Sequence, residues 1–288
     1  MRYSTEWKDY KVLATGDGYK LEDFGGIMLL RPDPQIIWKS ATDMRGAKGL
    51  SAVYERSNKG GGEWKKYKKI PDEFNVHWRD LKFSLKLMGF KHTGVFPEQA
   101  YNWGEMIELI KNANRPIKVL NLFAYTGGAT IACASAGASV VHVDAAKAMC
   151  ERAGVNAKLS GLQDKPIRYI VEDCVKFVER EIRRGNRYDA IIMDPPSYGR
   201  GPKGEMWKLE DKVYDLVELT KNVLSDNPLF YLINSYTTGL QPTVMKNVLE
   251  LIFKDVPHQI EAYELGLPTE QKNILLPCGA SALMKFEK

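Results

Sequence analysis

Beyond residue 115 the chain alternates short apolar runs with stretches of helical period. Ile117–Phe123, Ser139–Val143, Ile167–Val171, Tyr188–Met193 and Leu229–Asn234 read as five buried strands. Between them, Ala129–Ala136, Ala145–Ser160, Cys174–Arg184, Leu209–Leu224 and Thr243–Phe253 read as helices. His258–Leu265 and Ile274–Phe286 add two strands at the tail. Strands that alternate with helices of this length form a mostly parallel sheet covered on both faces. In such sheets ligands bind beyond the carboxyl ends of the strands, where the strand order reverses.

The first 90 residues follow a different pattern, short β segments punctuated by glycine and proline. Gly16-Asp-Gly18 is a turn signal. Phe24-Gly-Gly-Ile-Met-Leu-Leu30 reads as a strand ended by Arg31-Pro-Asp-Pro34, and Lys59-Gly-Gly-Gly62 as a flexible loop. Trp64-Lys-Lys-Tyr-Lys-Lys69 and Phe74-Asn-Val-His-Trp78 both alternate, which predicts a hairpin across Ile70-Pro-Asp-Glu73. The expected organisation is a small β-rich domain, 1–90, followed by a larger α/β domain, 91–288.

Composition narrows the class. With 44% hydrophobic and 27% charged residues, the 288-residue chain is neither disordered nor fibrous. No apolar run reaches the length of a membrane helix, and the start, Met1–Tyr10, has no apolar secretory core. The cysteines, Cys133, Cys150, Cys174 and Cys278, have no C-x-x-C spacing. A disulfide framework or zinc site is therefore not expected, and a cytoplasmic setting is. The four histidines form no ligand pair, so no metal is expected, and His142 reads as a residue satisfied within the fold.

Net charge is +5, and residues 1–115 carry all of it, with 20 basic and 15 acidic side chains against 21 of each in the remainder. A local basic excess fits a polyanion such as RNA and equally fits a solvated face. The lysines interleaved with Trp64 and Tyr67 raise the first reading, because charge meets phosphate and a ring stacks on a base.

Four strand ends carry the chemical signal. Val119-Leu-Asn-Leu-Phe-Ala-Tyr-Thr-Gly-Gly128 closes the first strand with a glycine turn that lets backbone approach a ligand. It is not G-x-G-x-x-G, which disfavours a pyrophosphate cofactor. Asp144 ends Val140-Val-His-Val-Asp144, where a carboxylate can hold a ribose diol or cap the next helix. Asp173, in Ile170-Val-Glu-Asp-Cys174, can read an adenine edge with the Cys174 N–H, or serve as a second cap. Ile191-Ile-Met-Asp-Pro-Pro-Ser-Tyr-Gly-Arg200 is the most specific of the four, a carboxylate and two rigid prolines at the sheet's edge.

At these residues the chain resembles the class I S-adenosylmethionine-dependent methyltransferases, and within them the family that includes bacterial large-subunit ribosomal RNA methyltransferases. Asn121-Leu-Phe-Ala-Tyr-Thr-Gly127 is similar to that family's first motif. Asp144-Ala-Ala-Lys147 with Asn156-Ala-Lys-Leu-Ser-Gly161, Glu172-Asp173, and Asp194 through Gly204 resemble the next three. Thr93-Gly-Val-Phe-Pro-Glu-Gln99 resembles the segment before the catalytic domain. The resemblance implies a Rossmann-like seven-stranded sheet with helices on both faces, preceded by the small β-rich domain. It implies S-adenosylmethionine as cofactor and RNA as partner.

It also assigns roles. Phe123, Ala124, Tyr125, Thr126 and Gly127, with Asn121, would hold the methionine end of the cofactor. Asp144 would take the ribose hydroxyls, Ala145 would lie beside the adenine, and Asp173 and Cys174 would read its edge. Phe96 and Gln99 would close the cofactor from the other side. Asp194, Pro195, Pro196 and Ser197 would line the methyl-transfer pocket, with Asp194 shared between cofactor and acceptor.

One departure bears on the acceptor. Methylation at a pyrimidine C5 needs a cysteine thiolate on C6. The related RNA cytosine enzymes carry it just after the fifth strand, where this chain reads Phe230-Tyr-Leu-Ile-Asn-Ser-Tyr-Thr-Thr238. A nitrogen acceptor is therefore favoured over C5. Arg200, Lys203, Lys208 and Lys212 follow the pocket motif among Gly199, Gly201 and Gly204, and read as a substrate-gripping lid. Methylation of a small molecule or protein, a nicotinamide oxidoreductase, and a non-catalytic RNA-binding module are the competing readings.

Overall fold

The computed structural model describes residues 1–57, 61–200 and 206–287. The chain divides into two compact units, Tyr3–Ala100 with Gly266–Cys278, and Met1–Arg2 with Tyr101–Leu265 and Gly279–Lys288.

The N-terminal unit contains a five-stranded sheet of β1 (Tyr10–Gly16), β2 (Tyr19–Phe24), β3 (Ile27–Pro32), β4 (Leu50–Arg56) and β5 (Gly62–Lys66), hydrogen-bonded in that order. All neighbours are antiparallel except β3 and β4. Gly16 pairs with Tyr19, leaving Asp17-Gly18 as a two-residue loop with both φ positive, at 49° and 80°. That is the turn whose twist matches paired strands. Gly25-Gly26 does the same between β2 and β3, so Phe24–Leu30 is a turn followed by a strand and not one strand.

The expected hairpin across Ile70–Glu73 does not form. β5 pairs back onto β4, while β6 (Phe74–Trp78) pairs with β7 (Leu81–Leu85) across Arg79-Asp80. Alternation marks a strand and says nothing of its partner, so both segments are strands with other neighbours. Lys59 and Gly60 of the expected glycine loop lie outside the described residues, and Gly62 begins β5.

A buried charged cluster crosses this sheet. Glu22 is fully buried and accepts from Arg31 Nε at 2.6 Å, Arg31 Nη2 at 2.7 Å and Tyr10 Oη at 2.9 Å. Lys20 Nζ lies 4.0 Å from Glu22 and 3.2 Å from Asp33. Arg31 also donates to Lys91 O at 3.0 Å, and Lys91 Nζ donates to Pro32 O at 2.8 Å. The cluster therefore ties β3 to the segment leading into Phe96–Gln99.

The second unit begins with α1 (Ala100–Asn112), whose first residue belongs to the N-terminal unit. The expected strand–helix units follow, differing only at their ends. They are β8 (Lys118–Leu122), α2 (Gly128–Ser135), β9 (Ser139–Asp144), α3 (Lys147–Leu159), β10 (Ile167–Val171), α4 (Cys174–Arg184) and β11 (Ala190–Met193). A small hairpin of β12 (Tyr198–Arg200) and β13 (Met206–Lys208) precedes α5 (Leu209–Lys221), β14 (Phe230–Ser235), α6 (Pro242–Ile252), β15 (His258–Pro268) and β16 (Leu275–Phe286). The seven-stranded sheet runs β10-β9-β8-β11-β14-β16-β15, with the first five strands parallel and β16 antiparallel to β14.

Strand alternation divides the helices. Leu120, Leu122, Val141, Val143, Ile191, Met193, Tyr231 and Ile233 pack on one face with Phe177 of α4, Val213 and Val217 of α5, and Leu249 of α6. The residues between them, Asn121, His142 and Asn234, reach residues of α1 and α2 on the opposite face. The chain runs outward from β8 through β9 to β10, then returns to β11 on the other side of β8. The switch point is the seam between β8 and β11. Among the described residues no helix is long and apolar enough to cross a membrane.

Candidate active site

Register brings the candidate residues to one rim. Leu122 is level with Val143 and Met193, Asp144 with Val171, and Met193 with Ile233. Phe123, Asp194 and Asn234 continue their strands directly, and Asp173 follows one residue after Glu172. Phe123, Asp144, Asp173 and Asp194 thus share the carboxyl edge that the fold rule designates. Phe96 and Gln99 belong to the N-terminal unit; Phe96 packs edge-on against His92 at 5.6 Å, and Gln99 is buried.

The loop from Phe123 to Gly127 is strained and tightly held. Phe123 and Tyr125 have φ of 54° and 52°, and Gly127 has φ of 84°. A non-glycine residue in such a conformation costs about 1–3 kcal/mol and persists where surrounding structure fixes it. The Phe123 N–H donates to Cys174 Sγ at 3.3 Å, and Ala124 N–H to Val143 O at 3.1 Å. Tyr125 N–H donates to Asp144 Oδ2 at 2.9 Å. A Cβ on Gly127 would lie 2.7 Å from Ala153 Cβ, so glycine serves both the dihedral and the close approach to α3.

Asp144 is not the cap of α3, whose N-cap is Ala146, but its carboxylate is engaged. Its Oδ1 accepts from Ala146 N–H at 2.8 Å while Oδ2 accepts from Tyr125, so the carboxylate ties two strand ends together. Each oxygen keeps a second lone pair, the chemistry a ribose diol needs. Asp173 is the N-cap of α4, accepting from Lys176 N–H at 3.0 Å, and its side chain is exposed on the rim. Ala145 is exposed beside Asp144. Cys174 is buried, and burial holds its thiol well above the ordinary range. Asn121 lies beneath the loop, donating to Thr130 Oγ1 at 2.9 Å. Thr130 in turn contacts His142 Nδ1 at 2.9 Å. Burial lowers His142 to about 4, so the imidazole is neutral near pH 7.

Asp194 is half-buried directly after β11, and Pro195 is buried beside it. Trp207 of β13 donates from Nε1 to Pro196 O at 2.7 Å and lies 6.1 Å from the Phe123 ring. Leu209 N–H donates to Ser197 O at 3.1 Å. These bonds fix the Asp-Pro-Pro-Ser segment. Gly201, Lys203 and Gly204 of the expected lid lie outside the described residues; Lys208 and Lys212 are exposed.

The sequence reading missed Trp207, and it missed three buried asparagines. Asn102 Nδ2 donates to Asn234 Oδ1 and Ser281 Oγ, each at 3.0 Å, and Tyr263 Oη donates to Asn102 Oδ1 at 2.8 Å. Asn156 Nδ2 donates to Thr126 O at 2.9 Å. Their signal was available: a polar residue on an apolar stripe, as Asn156 is among Cys150, Ala153 and Ala157. A cleft of about 540 Å³ lined by Asp17, Tyr19, Ser40 and Arg45 lies in the N-terminal unit and includes none of the candidates.

The residue set fits a sulfonium nucleoside, with acids on adjacent strand ends and a glycine turn at the switch point. Comparison with known proteins agrees. The profile of the S-adenosylmethionine-dependent methyltransferase family matches residues 46–246. A solved S-adenosylmethionine-dependent methyltransferase from Agrobacterium tumefaciens is 31% identical, with a TM-score of 0.91, over 98% of this chain and 92% of that one. The chain belongs to the S-adenosylmethionine-dependent methyltransferase family; it is an enzyme, and S-adenosylmethionine is its cofactor. A structure from Streptococcus mutans shares the fold at 19% identity and a TM-score of 0.75, over 98% of this chain and 76% of that one.

Curated relatives point in a narrower direction. A Methanocaldococcus jannaschii protein named for large-subunit ribosomal RNA methylation is 30% identical over 165 residues, 54% of this chain and 41% of the relative. Ribosomal RNA large subunit methyltransferase K/L of Cellvibrio japonicus is 30% identical over 178 residues, 61% of this chain and 22% of the relative. The chain spans less than half the length of either.

Proposed function

We propose that this methyltransferase acts on RNA, ribosomal RNA foremost, and places the methyl group on a nitrogen. The observation that carries the nitrogen reading is the state of the four thiols. Cys133, Cys150 and Cys174 are buried and Cys278 is half-buried, and desolvation raises all four above the ordinary cysteine value, so none is poised as the thiolate a C5 reaction requires. At the rim, by contrast, Asp194 and the proline carbonyls can accept hydrogen bonds from an exocyclic or ring N–H.

The cofactor supplies a methyl group already activated on a positively charged sulfur. Asp144, Ala145, Asp173 and Cys174 hold its adenosine end in this reading, with loop 123–127 and Asn121 toward the methionine end. What remains for the chain is orientation. Asp194 accepts an N–H of the base and turns the nitrogen lone pair in line with the methyl group. Trp207 takes one lone pair of Pro196 O, and Pro195 O is the carbonyl assigned to the base. Pro196 and Ser197 fix the path of the pocket wall.

A 5-fluorocytidine-substituted transcript separates the two chemistries. We expect methyl transfer without a covalent protein–RNA species on a denaturing gel. A stable adduct would establish C5 attack and refute the nitrogen assignment, and mass spectrometry of the digested nucleosides names the product.

The RNA reading also draws on the N-terminal residues, 1–90. Lys65, Lys66, Lys68 and Lys69 are all exposed, Tyr67 retains 51% exposure, and Lys65 Nζ lies 5.6 Å from the Tyr67 ring centroid. They run from β5, an edge strand, which leaves one side for a partner. Such a strip suits a single-stranded segment, with cations on phosphate and the ring on a base. Replacing the four lysines with alanine should flatten the plot of log affinity against log salt by up to about 3 while cofactor affinity stays unchanged. An unaltered slope would remove the strip from the RNA path. A cytoplasmic location accompanies an RNA substrate. Among the described residues no cluster of three or more histidine, cysteine or acidic side chains could hold a metal.

A further inference from the structure

The strained loop is held in part by backbone partners and rim groups. Phe123, Ala124 and Tyr125 donate their N–H groups to Cys174 Sγ, Val143 O and Asp144 Oδ2. The peptide between Thr126 and Gly127 is held in addition by a side chain from α3. Its N–H donates to Ala124 O at 3.0 Å, and its carbonyl is held by Asn156 Nδ2 at 2.9 Å. Asn156 has no exposed surface, sits on α3 thirty positions away, and reaches the loop only with its side chain.

That bond decides which way the peptide faces. Gly127 can occupy either hand of φ, so the 126–127 peptide is the one unit of the loop free to rotate cheaply. Asn156 holds the carbonyl turned toward α3, which keeps it away from the rim, where it would confront a carboxylate. Ala153, one turn earlier on α3, packs where a Gly127 Cβ would lie. Two residues of one helix face thus set the same peptide.

We propose that Asn156 is a positioning residue for the amino-acid end of S-adenosylmethionine, acting through the Thr126 carbonyl without touching the cofactor. The proposal rests on the reading of loop 123–127 as the cradle for that end. It predicts an effect confined to ligands that carry the amino acid. The probes are S-adenosylmethionine, S-adenosylhomocysteine and methylthioadenosine, which lacks the amino-acid end, titrated calorimetrically into the full chain.

Asn156→Ala and the near-isosteric Asn156→Leu should weaken the first two ligands by about tenfold, the equivalent of one hydrogen bond, and leave methylthioadenosine within about twofold. Asp144→Ala, on the ribose side, should weaken all three. Equal losses for the three ligands in the Asn156 variants would show a residue that merely holds the fold, and no loss would show no role; either overturns the proposal. If Asp144→Ala spares all three ligands, the cofactor-site reading itself fails and takes this inference with it.

A measurement on the unaltered protein covers the case in which the variants do not fold. The Gly127 amide should be protected from hydrogen exchange before any cofactor is added. Exchange as fast as in an open loop would mean that the peptide is not held, and would overturn the proposal.

Discussion

Replacing Arg31 with methionine should destabilise the protein by about 3–5 kcal/mol in urea denaturation at neutral pH. Glu22 is wholly buried, and Arg31 supplies two of its three short hydrogen bonds. Without the guanidinium only Lys20, at 4.0 Å, and the Tyr10 hydroxyl remain. Burial alone would raise the Glu22 pKa; the charges of Arg31 and Lys20 and the hydrogen bonds of Arg31 and Tyr10 outweigh it and hold the carboxyl below its ordinary 4.5. The depressed value means that the unfolded chain binds the proton more tightly than the folded one. The Glu22 contribution is therefore complete above pH 4.5 and is lost as acid carries the pH through the folded value. In Arg31→Met the sign reverses, because burial now dominates and protonation relieves the penalty. The gap between the two proteins should be widest at neutral pH and should narrow in acid. A loss under about 1 kcal/mol, or a gap independent of pH, would show that Lys20 suffices as the counter-ion.

Asp194→Ala should reduce single-turnover methyl transfer by about 10²- to 10⁴-fold, the range expected when a group that orients and hydrogen-bonds the acceptor is removed. Asp194 follows β11 at the seam with β8, and Trp207 braces the prolines behind it. Asp194→Asn keeps an acceptor oxygen and should fall between wild type and alanine. Cofactor affinity, measured separately, tells whether the loss is one of chemistry or of binding. Transfer within tenfold of wild type at saturating cofactor would remove Asp194 from the reaction.

The catalytic unit was readable because its strands are short, continuous apolar runs and its helices carry a face of the right period. The order of those runs, together with the reversal rule, located the rim before any side chain was placed. Partnership was not readable. Trp64–Lys66 and Phe74–Trp78 have the alternation of a hairpin, yet each found a different neighbour, because alternation fixes which face is buried and not which strand lies alongside. The positions of Asp144 and Asp194 were legible, because each closes a continuous apolar strand. For a buried amide such as Asn102 or Asn156 the pattern marks a polar residue on an apolar stripe but does not name its partner, a carbonyl or side chain distant in sequence. Asp144 and Asp173 show a third case. Local cap readings and ligand readings compete in the sequence, and in the structure Asp173 is a cap whose carboxylate still faces the rim.

The N-terminal unit does not end at Ala100; Gly266–Cys278 returns to it. Thr15 N–H donates to Gln271 Oε1 at 2.7 Å across 256 positions, and Glu270 N–H donates to Val12 O at 2.9 Å. During synthesis, then, β1 waits for a partner made 256 residues after it. A nascent chain stalled after α6 would hold a first sheet still missing these closing bonds.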